Sequence, residues 1–127
     1  MEVDEVIKFW KNSSSKDLKV SQSLFKSKHY LYCLFFCHLS LEKALKAGVV
    51  KNNKDVMPTH NLVNLAKATK IPFKDEDLDF FSEVNAFNLK TRYDDYRRKM
   101  YKKATKGYTT LYLDKIKAMQ KWILEQI

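Results

Sequence analysis

An all-α fold, an up-and-down antiparallel bundle of four main helices plus a short fifth helix, is what three observations predict. The chain holds only 2 Gly and 2 Pro in 127 residues, so few breakers interrupt it. Apolar residues recur at steps of three and four along several long segments. No convincing period-2 run, internal repeat or low-complexity tract competes with that pattern. The length suits a single domain over 1–127, large enough to build a core without metal or disulfides.

The elements follow in order. Val3, Ile7, Trp10, Ser14, Leu18, Ser21 and Phe25 mark a first amphipathic helix, with small serines where a neighbour can approach closely. Ser13-Ser14-Ser15 leaves open a break into two helices. A second helix is expected from about His29 to Gly48, with a seam of Cys33, Phe36/Cys37, Ser40/Leu41, Ala44 and Ala47/Gly48. Its first half is apolar nearly all round, which makes it the central helix; Gly48 or Asn52-Asn53 ends it. After a polar loop, Lys51 to Met57, Pro58-Thr59 signals a short third helix capped by Thr59 or Asn61 and burying Leu62, Leu65 and Ala66. Ile71-Pro72-Phe73 reads as a turn. Asp75 or Asp77 caps a fourth helix that carries Leu78, Phe81, Val84, Asn85 and Asn88 and extends to about Leu89 or Thr91. Tyr93 to Lys106 reads as loop or frayed helix, and Gly107 as punctuation. A last helix shows Tyr108, Leu111/Tyr112, Lys115/Ile116, Met119 and Trp122/Ile123.

Bulk properties narrow the function classes. Hydrophobic residues make up 45% and charged residues 31%, a globular balance. The formal net charge of +9 fits either a solvated lysine-rich surface or one that attracts nucleotides, polyanions or an acidic partner. Cys33 and Cys37, four apart in an apolar stretch, read as core thiols of a reducing compartment; no Cys/His spacing suits a metal, and no cofactor is expected. The acidic start lacks a signal core, and the apolar run Tyr30 to Leu39 is too short to span a bilayer, so a cytoplasmic protein without membrane association is expected.

A few polar residues lie beside the apolar stripes. Glu42 and Lys46 are spaced for a helical ion pair, as surface residues often are. Asn85 sits on an inward face and needs a hydrogen-bond partner there, for which Arg92, a heptad on, is the candidate. His60 lies at or just before the third helix, as a capping or packing residue or as a hydrogen-bonding one. Arg92-Tyr93-Asp94-Asp95 leads into Arg97, Arg98, Lys99, Lys102, Lys103 and Lys106, interleaved with Tyr93, Tyr96, Tyr101 and Tyr108. Basic groups bind phosphate and aromatic rings stack on bases, so the mixture fits nucleotide or single-stranded RNA contact; a solvated loop has the same composition. No phosphate-cradling glycine loop or nucleophile elbow is present.

Taken together these segments resemble the HEPN domain family. Trp10 with Asp17-Leu18 is similar to its first helix. Glu42-Lys43-Ala44-Leu45-Lys46-Ala47 is similar to its Glu-Lys-x-x-Lys-Ala signature, and Thr59-His60-Asn61-Leu62 to its His-x-Leu element. Asn85 with Thr91-Arg92-Tyr93-Asp94 is similar to its Asn…Arg-Tyr-Pro-Asp element, with Asp94 where proline is usual. The resemblance covers nearly the whole chain. It implies a helical bundle, often a homodimer, and pairing with a minimal nucleotidyltransferase in toxin–antitoxin or defence-type systems.

Many members of that family are metal-independent ribonucleases that use an Arg followed shortly by a His. Here none of the seven residues after Arg92 is histidine, so the imidazole that would move protons is absent from the motif. The resemblance therefore implies the minimal, non-ribonuclease branch. It assigns no catalytic residue and implies a ligand-binding or polar cluster of Glu42, Lys43, Lys46, His60, Asn85, Arg92, Tyr93 and Asp94. Two alternatives stand beside this reading: a divergent ribonuclease using Arg92 with His60 or Tyr96, and a purely structural network that fixes helix register.

Overall fold

The computed structural model describes residues 2–56, 58–90 and 92–127. Six α-helices and one 3-10 turn follow in order, with no strand among the described residues. The first, α1 (Val3–Lys26), is one continuous helix, because the serine run is pinned from within the bundle. Ser14 Oγ donates to Ser40 O at 2.6 Å, Ser40 Oγ donates back to Ser14 O at 3.0 Å, and Gln120 Nε2 donates to Ser14 Oγ at 3.3 Å. Small side chains let the helices approach, and their hydroxyls satisfy one another where water is excluded.

Residues 27–29 reverse the chain, with Lys28 left-handed at φ 63°. The following α2 (Tyr30–Lys51) is central and ends at Asn52 and Asn53, not at Gly48. Asn53 takes φ 57°, a conformation that asparagine tolerates better than most residues. Gly48 instead permits close packing: a Cβ there would lie 2.9 Å from Thr69 Cγ2.

Asn61 caps α3 (Leu62–Lys67), accepting from Val63 N at 3.0 Å and Asn64 N at 3.3 Å. The cap position of α4 (Asp75–Val84) is Lys74, whose N–H donates to Asp77 Oδ2 at 2.9 Å, so neither Asp75 nor Asp77 is the cap itself. The helix also stops earlier than expected. Asn85–Phe87 tightens into a 3-10 turn and Asn88 is extended; Thr91 lies outside the described residues, as does Met57 of the loop before α3.

The 93–106 segment is largely an ordered helix, α5 (Asp94–Lys103), a sixth helix beyond the expected set. Its acidic first turn and basic last turn complement the helix dipole. The last helix, α6 (Lys106–Glu125), begins at a Thr105 cap that accepts from Tyr108 N, so Gly107 lies inside its first turn. Its buried stripe runs Thr109, Leu113, Ile116, Gln120, Ile123, rotated from the expected one, and Leu111 is exposed.

Pairings at both ends set the directions. Phe25 meets Tyr30 while Lys46 lies over Trp10, so α1 and α2 are antiparallel. Phe73 meets Trp122 while Phe87 meets Tyr108, so α4 and α6 are antiparallel too. The four main helices thus form an up-and-down bundle around α2, with α3 and α5 as short additions. The core centres on Cys33, Leu34, Cys37, Leu41, Leu45, Phe81, Ile116 and Ile123, all fully enclosed. No helix among the described residues is long and apolar enough to cross a membrane.

Candidate polar site on the central helix

Helical spacing alone stacks His38, Glu42 and Lys46 on one side of α2. Glu42 is almost fully buried and both its oxygens are used. Oε2 accepts from Lys46 Nζ at 2.8 Å and Oε1 from His60 Nδ1 at 2.9 Å. Burial would raise its pKa, but the hydrogen bonds from Lys46 and His60 outweigh it and hold the carboxyl below its ordinary value. Lys46 also lies 5.1 Å from the Trp10 ring centroid, a cation–π contact that ties α1 to the same point. One helical turn away from Lys46 on the α1 side, Lys43 pairs with Asp17 at 2.7 Å.

The loop before α3 is fastened to this cluster through His60. Its side chain meets Glu42, and its carbonyl oxygen lies 3.2 Å from His38 Nε2. A carbonyl only accepts, so Nε2 of His38 carries the proton and Nδ1 is the lone-pair nitrogen. Nδ1 is buried without a protein partner. Burial, chiefly, pushes the His38 pKa down to about 4, keeping a neutral imidazole inside the bundle. Periodicity placed His38 off the cysteine seam, and it lies buried on another face of α2. It was the residue that sequence reasoning missed; its i to i+4 spacing to Glu42 was the available signal.

Asn85 belongs to the same corner but not with Arg92. Its Oδ1 accepts from Leu62 N at 2.9 Å, and its Nδ2 donates to Asn61 Oδ1 at 3.2 Å. The expected Asn85–Arg92 pairing fails because α4 ends at Val84, so heptad spacing no longer applies beyond it. Asn85 instead completes the start of α3, directly after His60.

Arg92, Tyr93 and Asp94 form a second, separate region. Arg92 is exposed, with its guanidinium 4.5 Å from the Tyr96 ring centroid. Tyr93 is 89% exposed. Asp94 is the first residue of α5, a position that suits proline through its fixed φ and aspartate through the helix dipole. Proline and aspartate therefore serve the same helix start. Tyr96 donates its hydroxyl proton to Ala86 O at 2.7 Å, and Arg97 Nη2 donates to Leu89 O at 2.8 Å; these bonds fix α5 to the turn after α4. The described residues show no contact from Arg92 to Glu42, Lys46 or His60.

The two regions differ in charge balance. In the first, Lys43, Lys46 and His60 each face a carboxylate. Residues 92–106 carry seven basic side chains against two carboxylates, a surplus of five in a chain whose total surplus is nine. Among the described residues none of these bases is ion-paired. Cys33 and Cys37 are buried free thiols; their mutual hydrogen bond lowers the pKa of Cys33 against the opposing effect of burial, and raises that of Cys37, where burial adds to it. No group of His, Cys, Asp or Glu among the described residues is arranged to hold a metal ion.

Comparison with known proteins agrees with this architecture. The crystal structure of TT1696 from Thermus thermophilus superposes with a TM-score of 0.81, covering 95% of this chain and 98% of that one at 16% identity, which establishes a shared fold. No curated protein sequence matches significantly. The family model of the HEPN domain matches residues 7–126, nearly the whole chain. The protein belongs to the HEPN domain family.

Proposed function

We infer that the protein is a nucleotide- or RNA-associated module, a reading that family membership supports in general. We propose that this chain is a binding module that meets its nucleotide or RNA ligand through α5 and the residues leading into it, while the Glu42-centred cluster braces the scaffold. One observation carries the reading: the unpaired basic surplus lies on 92–106, whereas the cations around Glu42 and Asp17 are already neutralised. Unpaired cations can neutralise phosphate; a lysine already held by a buried carboxylate cannot do so without breaking that bond. The sequence resemblance further supports a homodimer acting in the cytoplasm beside a minimal nucleotidyltransferase in a toxin–antitoxin or defence-type pair.

Calorimetric titration of the pure protein with ATP, GTP and a short single-stranded RNA at low salt tests the reading. Binding that weakens steeply with salt is expected, and Arg98→Ala with Lys99→Ala weakens it further. No binding of any of the three overturns it.

One observation favours a second reading, RNA cleavage. Glu42 orients the His60 imidazole through Nδ1, as carboxylates orient proton-transfer histidines, and the ring is about half exposed. Incubating labelled RNA with the protein separates the readings: fragments that vanish in His60→Ala establish cleavage, and intact RNA removes it.

A further inference from the structure

The start of α2 and the start of α6 lie side by side, at one end of the bundle. An open notch of about 400 Å³ lies between them, within the ~300–1,000 Å³ range of small-molecule sites. Lys28, His29, Tyr32, Tyr101, Lys102 and Thr105 line it. No carboxylate is among its described lining residues. Tyr32 and Tyr101 are both more than half exposed, although each ring carries enough apolar surface to favour burial.

The surroundings of the notch are electropositive. Lys28 and Lys102 are exposed and unpaired among the described residues. The first turns of α2 and α6 contain no acidic residue, so nothing there cancels the positive ends of two long helix dipoles. The notch also continues the basic face of α5, since Tyr101 and Lys102 belong to that helix. Lys28 holds φ 63°, a left-handed conformation that glycine adopts without strain, so a cationic side chain occupies a turn position where the backbone alone would favour glycine.

We propose that this notch is a subsite for one unpaired nucleotide of a single-stranded RNA running along α5. The base stacks on Tyr32 and Tyr101, and Lys28 and Lys102 take the flanking phosphates. Stacking on exposed tyrosines tolerates any base, and unpaired lysines neutralise backbone without reading sequence, so the site selects for single strands and not for a sequence. The charge pattern favours a strand over a free nucleotide, because the cations extend beyond one phosphate's reach along α5. This inference rests on the binding role proposed for α5 and names a place for one nucleotide of that ligand.

Fluorescence anisotropy of a labelled eight-nucleotide single-stranded RNA, at several salt concentrations, provides the test. The wild-type chain binds it. Tyr101→Ala weakens binding about 5- to 150-fold, the range for losing one base stack, and Tyr32→Ala does likewise. Lys28→Gly keeps the turn unstrained and lowers the slope of log affinity against log salt by about 0.7, as for one lost phosphate contact. Thermal melts of all three variants match wild type, which excludes misfolding. No RNA binding by wild type overturns the broader role and the subsite together. Unchanged affinity in all three variants, with Arg98→Ala still weakening binding, overturns the subsite and leaves the broader role standing. Displacement of the RNA by ATP as effectively as by unlabelled RNA overturns the strand assignment.

Discussion

His38 makes the bundle sensitive to acid in a defined window. Its ring is fully enclosed, its Nε2 proton is committed to His60 O, and its Nδ1 faces no acceptor. Protonation would therefore place a charge and an unanswered N–H inside the protein. Burial lowers its pKa from 6.5 to about 4, helped by Lys46 and the His60 ring and opposed by Glu42 and the His60 carbonyl. Between those two values the unfolded chain binds a proton that the folded chain does not, so stability falls as pH drops from 6.5 toward 4 and the effect levels off below. A shift of that size corresponds to about 3 kcal/mol, or a urea midpoint change of roughly 1–3 M. The assay is urea unfolding of wild type and His38→Gln at pH 7, 6, 5 and 4, since a glutamine amide can still donate to His60 O. The difference between the two proteins should change by about 3 kcal/mol from pH 7 to 4. A difference that stays flat across that range, or an NMR titration placing the His38 pKa near 6.5, refutes the reasoning.

Other perturbations give distinct outcomes. Glu42→Ala strands the largely buried Lys46 ammonium and should cost about 3–5 kcal/mol, read as a clear drop in Tm by calorimetry. The held-down Glu42 carboxyl stabilises the wild type above its ordinary pKa, and that share is lost as pH falls through the lowered value; Glu42→Ala should lack this loss in urea titrations. Asn85→Ala leaves Leu62 N without its acceptor and removes the bond to Asn61, costing about 1–3 kcal/mol in urea unfolding. The two glycines should respond in opposite directions. Gly107→Ala meets nothing within 4 Å and should raise stability by about 0.5–1 kcal/mol, whereas Gly48→Ala should lower it, with Thr69→Ser restoring it by removing the clashing methyl.

Much of the fold was legible because the chain buries, fully or in part, most of its apolar residues at helical spacing. The stripes Ile7–Ser14–Ser21 and Leu62–Leu65–Ala66 lie where periodicity put them. One source of error is polar residues that act as core residues. Thr109 and Gln120 were invisible as core positions; Gln120 is answered by Ser14 across the bundle, whereas the Thr109 hydroxyl is buried without a partner. Asn85, expected on an inward face, is half-buried, and its partners are Asn61 and Leu62, which no local spacing encodes. α5, which the sequence leaves open between loop and frayed helix, was obscured for a different reason. Its charge density suggested loop, although Asp94-Asp95 at one end and Lys102-Lys103 at the other already spelled a dipole-matched helix.

The site motifs divide along the same line. Glu42, Lys46 and His60 were recognisable as a set, and the structure brings them within hydrogen-bonding distance; Arg92, equally recognisable, it leaves apart within the protomer. The separation matters for function because a phosphate ligand must compete with whatever already holds a cation. At Lys46 the competitor is a buried carboxylate at 2.8 Å, reinforced by the Trp10 ring, and displacing it would strand that carboxylate out of water. At Arg92 the competitor is only a tyrosine face, which a stacked base can share. Of these two cations, the arginine whose motif lacks a histidine therefore has the weaker competitor for a phosphate to displace. On the proposed reading, the missing histidine and the binding surface therefore fall on one segment, apart from the Glu42 cluster that joins α2 to the loop before α3.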